Sequence, residues 1–511
     1  MKNGAWILLA TILGSSLAFI DGTVVNVALP ALQTGLQASV SDVQWVVEAY
    51  ALLLASLLLV GGSLGDLYGR RKVFVTGVTI FALASAACGL SPSINWLIFA
   101  RTVQGVGAAL LVPGSLAVIS SSFPDAEEGK AIGTWSGFTA MTTAVGPVLG
   151  GWLVQHASWR WVFFINLPIA ALVVVVSLWK IPESHDPQAG GRLDWPGAAL
   201  ATIGLGAVTY ALIEAPTHER AIGPIAVVGI LALAGFLFVE ARSATPMVSL
   251  RLFRSRNFSG ANLFTFFLYA AMSGVFFFFP LNLIQVQRYT PTQAGGALLP
   301  LILIIFALSR WSGGLVTKYG SRLPLVVGSI ISAAGYFLLV LPGIGGGYWK
   351  TIFPGMIVLG TGMAICVAPL TTTVMSSVSR DQAGVASGVN NAVSRIAGLL
   401  AIAVFGLILY GAFNRALDRK LQPLGLTAAE MRSVNEQRPK LAAIQSDDSR
   451  VNAAVGASFV SGYREVLLLA TGLALASALT AGLLDGRRRK WARARRKGER
   501  FTTEHTEKGK K

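Results

Sequence analysis

The sequence predicts an all-α polytopic membrane protein, built as two six-helix halves with two further helices inserted between them. Composition, the length of the apolar runs and an internal repeat predict it. Of 511 residues, 53% are hydrophobic and 13% charged, about half the roughly 25% charge of a soluble domain. The apolar residues gather into continuous stretches long enough to cross a hydrocarbon core, which takes about 20 residues per helix. Residues 62–77 (GSLGDLYGRRKVFVTG) return 251 positions later as 313–328 (GGLVTKYGSRLPLVVG). Duplicated halves are the usual trace of a membrane protein whose halves rock around a central site.

The stretches are continuously apolar rather than alternating, so helices are expected and a barrel is not. The first, 6–29, is too long for a signal peptide and lacks a small-residue cleavage site, so it is expected to remain as a span. Spans follow at 43–65, 73–90 and 95–120, the first two joined by the basic turn of the repeat. Span 131–154 carries Gly146-Pro147 and Gly150-Gly151, a kink and a close-packing surface. Span 161–180 closes the first half. Spans 195–214 and 221–240 lie between polar linkers at 181–194 and 241–256. Span 257–285 is rich in phenylalanine, with Phe264, Phe266, Phe267 and Phe276 to Phe279 before Pro280. The remaining spans are 293–316, 324–342, 349–374, 385–410 and 462–484, making fourteen. Between the last two, 411–461 has mixed charge and few aromatics in 412–450. It reads as a solvated helical hairpin, a mobile loop or a lid.

The same offset aligns Gly133, Ser136 and Gly137 with Gly384, Ser387 and Gly388, so span 2 maps onto span 10 and span 5 onto span 13. Eight helices per repeat exceeds half of fourteen, and the arithmetic closes if spans 7 and 8 are an insertion. The expected division is 1–181, 182–256, 257–485 and a basic tail at 486–511. Lys and Arg crowd one set of loops, including Arg70, Arg71, Lys72, Arg251, Arg254, Arg256 and Arg322, while the opposite short loops hold only Arg160, Arg220, Arg288 and Lys350. Both termini are therefore expected in the cytoplasm. The net charge of +17 is then mostly a topology signal. Contact of the tail GRRRKWARARRKGER with anionic lipid is favoured over nucleic acid. Cys88 and Cys366 fall inside spans, and His156, His185, His218 and His505 have no ligand spacing, so no disulfide, metal or cofactor is expected.

Ionisable groups inside spans are costly, and each is a candidate for function. Asp21, Glu48 and Arg101 stand out, each at the same end of its span and roughly 9–14 Å below that surface at 1.5 Å per residue. Two acids and a base in one layer make a candidate titratable network. A buried pair that only fixes packing is the competing reading. Arg395, near the middle of span 13, fits either an anionic group or pairing across the halves. In the turn, Asp66, Gly69, Arg70 and Arg71 form a candidate latch between halves. An ordinary tight turn with topology charges explains the same residues, and Thr317 replaces the acid in the second copy. Candidate substrate contacts are Asn26, Trp45, Tyr50, Phe279, Asn282, Asn390, Asn391 and Arg395. The aromatic ones suit an amphipathic or cationic guest.

These residues resemble the major facilitator superfamily, in particular its fourteen-span drug:proton antiporters. Ile20-Asp21-Gly22-Thr23-Val24-Val25-Asn26-Val27-Ala28-Leu29-Pro30 looks like that family's span 1 signature, and 62–72 like the superfamily's loop 2–3 motif. Arg101-Thr102-Val103-Gln104-Gly105 resembles its span 4 proton-transfer motif, and Gly137 through Gly146-Pro147-Val148-Leu149-Gly150-Gly151 its antiporter motif. Ser158-Trp159-Arg160-Trp161 with Phe164-Ile165-Asn166-Leu167-Pro168 is similar to the family's entry to span 6. The resemblance implies the major facilitator fold and proton-driven export of a small molecule, with Asp21 and Arg101 in coupling and a cavity between halves. A multidrug exporter in a bacterial inner membrane is expected, working as a monomer with protons, lipid and a small molecule as its partners. Export of an endogenous metabolite, lipid or amino acid stays open, as does a non-transporting sensor or scaffold. No nucleophile–base pair or phosphate loop points to an enzyme.

Overall fold

The computed structural model describes residues 3–185, 194–215, 219–243, 246–378 and 382–484. They form helices and no β-strand. The long helices are α1 (Gly4–Gly35), α2 (Val40–Tyr68), α3 (Arg70–Gly89), α4 (Ile94–Ser122), α5 (Asp125–His156), α6 (Trp161–Lys180) and α7 (Trp195–Glu214). They continue as α8 (Glu219–Arg242), α9 (Arg256–Leu281), α10 (Leu299–Tyr319), α11 (Arg322–Val340), α12 (Phe353–Ser376), α13 (Ala383–Leu421) and α14 (Ser449–Gly482). Among the described residues thirteen helices are long and apolar enough to span a membrane. The expected fifth span, α5, has the length but is not among the thirteen; Thr134, Ser136, Thr139 and Thr142 interrupt its apolar run.

Helix ends follow local chemistry. Ser39 and Asp42 form a reciprocal cap on α2, Ser255 caps α9, and Thr290 with Gln293 caps the short helix Pro291–Gly296 ahead of α10. The repeated phrase ends α2 and α10 in the same way: Gly69 has φ +112° and Gly320 has φ +78°. A left-handed residue stops each helix there, which is why both copies keep that glycine.

Helices α1 to α6 pack on one another, with α4 against α2 and α3, and α1 against α5 and α6. Helices α9 to α14 pack likewise, α12 against α10 and α11, and α14 against α9, α11 and α13. Helix α7 lies on α8 and touches both α2 and α13, so it stands beside the seam between the two groups. The groups meet on one face, here the Pro30 face. There α5 packs on the short helix Pro291–Gly296, and the Thr292 N–H donates to Gln155 Oε1 at 3.3 Å. At the other end of α5, side chains at Gly129, Gly133 or Gly137 would meet nothing within 4 Å, nor would one at Gly314 of α10. The groups close on each other on the Pro30 face, while these four glycines toward the Gly69 face look into open space.

The connection between α13 and α14 corrects the sequence reading. Both helices run on into 411–461, so the segment between them is 422–448. Ala412, Phe413, Ala416, Leu417 and Leu421 are buried at helical spacing, which outweighs the charges between them. The segment is packed: Val434, Leu441 and Ile444 are buried. Gln33 of α1 donates to the Lys440 carbonyl at 3.0 Å and accepts from Gln285 at 2.8 Å. The basic tail and most of the 181–194 linker lie outside the described residues.

Candidate functional site

Asp21 and Arg101 meet inside the membrane. An Arg101 Nη1–H donates to Asp21 Oδ2, and the two side chains are 1% and 0% exposed. Three elements converge to hold them. From α4, Gln104 sits one turn beyond Arg101; its Nε2 donates to Asp21 Oδ1 at 2.9 Å while its Oε1 accepts from Arg101 at 2.7 Å. From α2, the Val46 carbonyl accepts Arg101 Nε–H at 2.9 Å, and the Tyr50 ring lies 4.2 Å beneath the guanidinium. From α6, Asn166 donates to Asp21 Oδ1 at 3.3 Å and to Ser85 Oγ of α3 at 3.0 Å. A buried arginine survives only with its donors matched, and this one is matched on three sides.

Glu48 does not join this network. It is fully buried on α2, and neither carboxyl oxygen has a hydrogen-bond partner. Its neighbours a turn away face the seam: Gln44 donates to the Ile402 carbonyl of α13, and Leu52 packs with Leu399 and Leu205. The shared layer is real for Asp21, Arg101 and the backbone at Val46; one face of rotation around α2 separates Glu48 from it.

The turn residues latch within one group of helices rather than between the two. Asp66 accepts from Arg70 at 2.9 Å; the Arg70 N–H donates to the Ser184 carbonyl, and Arg71 reaches Glu183 and the Ile181 carbonyl. A side chain at Gly69 would strike Glu183, so that glycine is needed for space as well as for its φ. Span 5 does bridge the groups. A Cβ on Gly150 would lie 2.6 Å from Val24 Cγ2 of α1, and one on Gly151 would lie 2.9 Å from Thr292 Cα; Gly146 abuts Thr23 and Pro147 abuts Gly295.

The candidate substrate contacts scatter. Gly22, beside Asp21, faces open space, and Asn391 is exposed, whereas Asn26 is half-buried with its Oδ1 shut from solvent and without a hydrogen-bond partner. Tyr50 is within electrostatic reach of Asp21, Arg101 and Arg395, which ties α13 to the charged centre. Asn390 donates to Asn262 and Thr265 of α9. Trp45 turns away, donating to Glu214 of α7 at 3.1 Å beside Tyr210. Phe279 and Asn282 line a different and small cavity, of about 30 Å³, among α9, α11 and α14 near the Pro30 face. Gln104 and Asn166 stand within motifs read from the sequence but were given no role of their own, and Ser85 was not singled out, since neutral polar residues are tolerated in spans and their partners show only in the fold.

The chain matches the family model described as Major Facilitator Superfamily over residues 11–402. The chain belongs to that superfamily. Among relatives of this facilitator, the multidrug resistance protein Stp of Mycobacterium tuberculosis is 35% identical, over 91% of this chain and 89% of its own length. The tetracenomycin C resistance and export protein of Streptomyces glaucescens is 31% identical over 93% and 90%. Among solved structures, a bacterial homologue of the human lysosomal transporter Spinster, inward-facing and occupied, superposes with TM-score 0.67 at 16% identity over 95% and 97%. The facilitator fold is thus the fold of this chain, and its family is one of membrane transporters.

Proposed function

We propose that this facilitator is a proton-coupled antiporter, exporting hydrophobic or amphipathic small molecules, drugs among them, from a bacterial cytoplasm. The observation that carries the reading is the Asp21–Arg101 ion pair, shut inside spanning helices with donors from Arg101, Gln104 and Asn166 aimed at the acid. Attraction between unit charges is strong where water is scarce, and a proton on the carboxyl deletes it. Proton binding and separation of α1 from α4 are therefore linked. Nine residues separate Asp21 from Pro30, roughly 14 Å of helix, so opening the Pro30 face brings that acid toward the outer solution. In the conformation described here that face is closed, and in this reading a guest would enter from the Gly69 side toward the open space beside Gly22. In this reading two six-helix halves rock about the seam of α2, α7 and α13, and the Gly69 side, with both termini, is cytoplasmic. Relatives named for drug resistance and export support the outward direction and the guest class.

The test is ethidium uptake into everted vesicles carrying the full chain under an imposed pH gradient. One-for-one exchange gives about tenfold accumulation per pH unit, since one unit is worth about 1.4 kcal/mol. Asp21→Asn is expected to keep expression and binding but to lose that accumulation. Undiminished gradient-driven uptake in Asp21→Asn would refute the proposal.

A further inference from the structure

We infer that Asn166 and Ser85 form a two-position relay that reports the protonation of Asp21 to the break at the start of α6. The inference rests on the proposed role of Asp21 as the proton-carrying acid. Three facts fix the relay. First, Ser85 has one proton, and it is committed: Ser85 Oγ donates to the Phe163 carbonyl at 2.9 Å. Its oxygen can then only accept from Asn166, which orients the amide so that Nδ2 faces Asp21. Second, every partner of Asp21 is consequently a donor, from Arg101, Gln104 and Asn166. That cage suits a carboxylate and offers no acceptor to a carboxylic acid. Third, Asn166 is fully buried, and its Oδ1 has no partner at all. A buried orphan acceptor costs about 1–3 kcal/mol and calls for a reason.

The orphan is the acceptor that the protonated acid lacks. A proton from the outer solution forms an O–H bond on Asp21, taking its charge from −1 to 0 while Arg101 stays cationic. The Asn166 amide then turns over, and Oδ1 accepts that O–H. Ser85 loses its donor partner, and its hydroxyl swings from the Phe163 carbonyl to the amide. The Phe163 carbonyl, freed, lies where the turn Trp161–Phe164 meets Ile165, the joint between the first turn of α6 and its run from Asn166 to Lys180. The neutral acid is thereby read as a change at a helix joint, with no charge moved beyond the proton itself. The other titratable groups near Asp21 are Arg101, Tyr50, Cys88 (through Gln104) and, through Tyr50, Arg395. Residues 131–155 of α5 and 167–179 of α6 hold no titratable side chain, and Tyr269 is the one such group within 257–281 of α9.

The test is infrared spectroscopy of the purified full chain in lipid nanodiscs, titrating the carboxylic-acid band that Asp21→Asn removes. Ser85→Ala unlocks the amide, so the acid form gains its acceptor, and the band midpoint is expected to move alkaline by about one pH unit. Ser85→Thr restores a hydroxyl and the original midpoint. In an Asn166→Ala background, Ser85→Ala is expected to shift nothing further, because serine acts only through the amide. An unmoved midpoint in folded Ser85→Ala, or an equal shift without Asn166, overturns the relay. If Asp21→Asn removes no band and leaves transport intact, it is the antiport proposal that fails instead.

Discussion

Arg101 makes contacts that no other side chain could make together: Asp21 and Gln104 through Nη1, the Val46 carbonyl through Nε, and the Tyr50 ring through its face. Lysine keeps the charge but loses the fork and the flat face. Arg101→Lys is expected to fold, to hold Asp21, and to lower gradient-driven ethidium uptake about tenfold. Arg101→Ala is expected to cost about 3–5 kcal/mol, since it strands a buried carboxylate. Thermal unfolding in detergent beside vesicle uptake separates the two, and equal loss of stability in both variants would contradict the role given to the fork. This centre was half legible from sequence. A charge inside an apolar run is conspicuous, so Asp21, Glu48, Arg101 and Arg395 could be named. Which of them touch depends on rotation about each helix, and that is set by packing across α1, α2 and α4. Glu48 shows the limit, sharing a depth with the pair and none of its bonds.

At the scale of elements, 422–448 is a cover held across the Pro30 face by Gln33 of α1, which also bonds Gln285 just past the end of α9. Leu441 anchors it, buried although its backbone sits at φ 52°, a conformation costly to a branched residue. Thr427 and Glu430 form a reciprocal helix cap at its start, and Arg450 clasps Asp448 at its end. The Thr427 N–H and hydroxyl hold the Glu430 carboxyl below its ordinary range, and Arg450 does the same for Asp448. Unfolded, both would titrate near about pH 4. A lowered value in the fold means their contribution is complete above that range and disappears as pH falls through the lower, folded value. Protection of 422–448 against hydrogen exchange, taken relative to the intrinsic rate at each pH, is therefore expected to be level from pH 7 to 5 and to fall at lower pH. Thr427→Ala should bring that onset toward the ordinary carboxylate range; an onset near neutrality would count against these two acids. Sequence misjudged this element's limits because charges were weighed above periodicity. The buried spacing of 412, 413, 416 and 417 was there to be read.

At the scale of the whole molecule, the two helical groups close on each other on the Pro30 face, and rocking requires that face to part. Closure there is made of backbone-to-backbone approach: Gly151 against Pro291 and Thr292, Gly295 against Pro147. Such contacts leave no flexible side chain to yield, so the seal is closed or broken with little between. One turn beyond Gly151, Gln155 reaches the Thr292 backbone. A short thiol cross-linker between Gln155→Cys and Thr292→Cys is then expected to form readily, since the native Cys88 and Cys366 are buried and do not compete. Cross-linked protein should bind ethidium from the Gly69 side and accumulate none, with transport returning when the link is reduced. Gly151→Leu is expected to act in the opposite sense, holding the Pro30 face apart, because overpacking at such a contact costs about 1–3 kcal/mol against the closed state. Accessibility of a cysteine at Ala31 to an impermeant thiol reagent reads this directly: lower when linked, higher in Gly151→Leu. Transport that survives the link at its full rate would mean that the Pro30 face never opens, and the guest would need another way out.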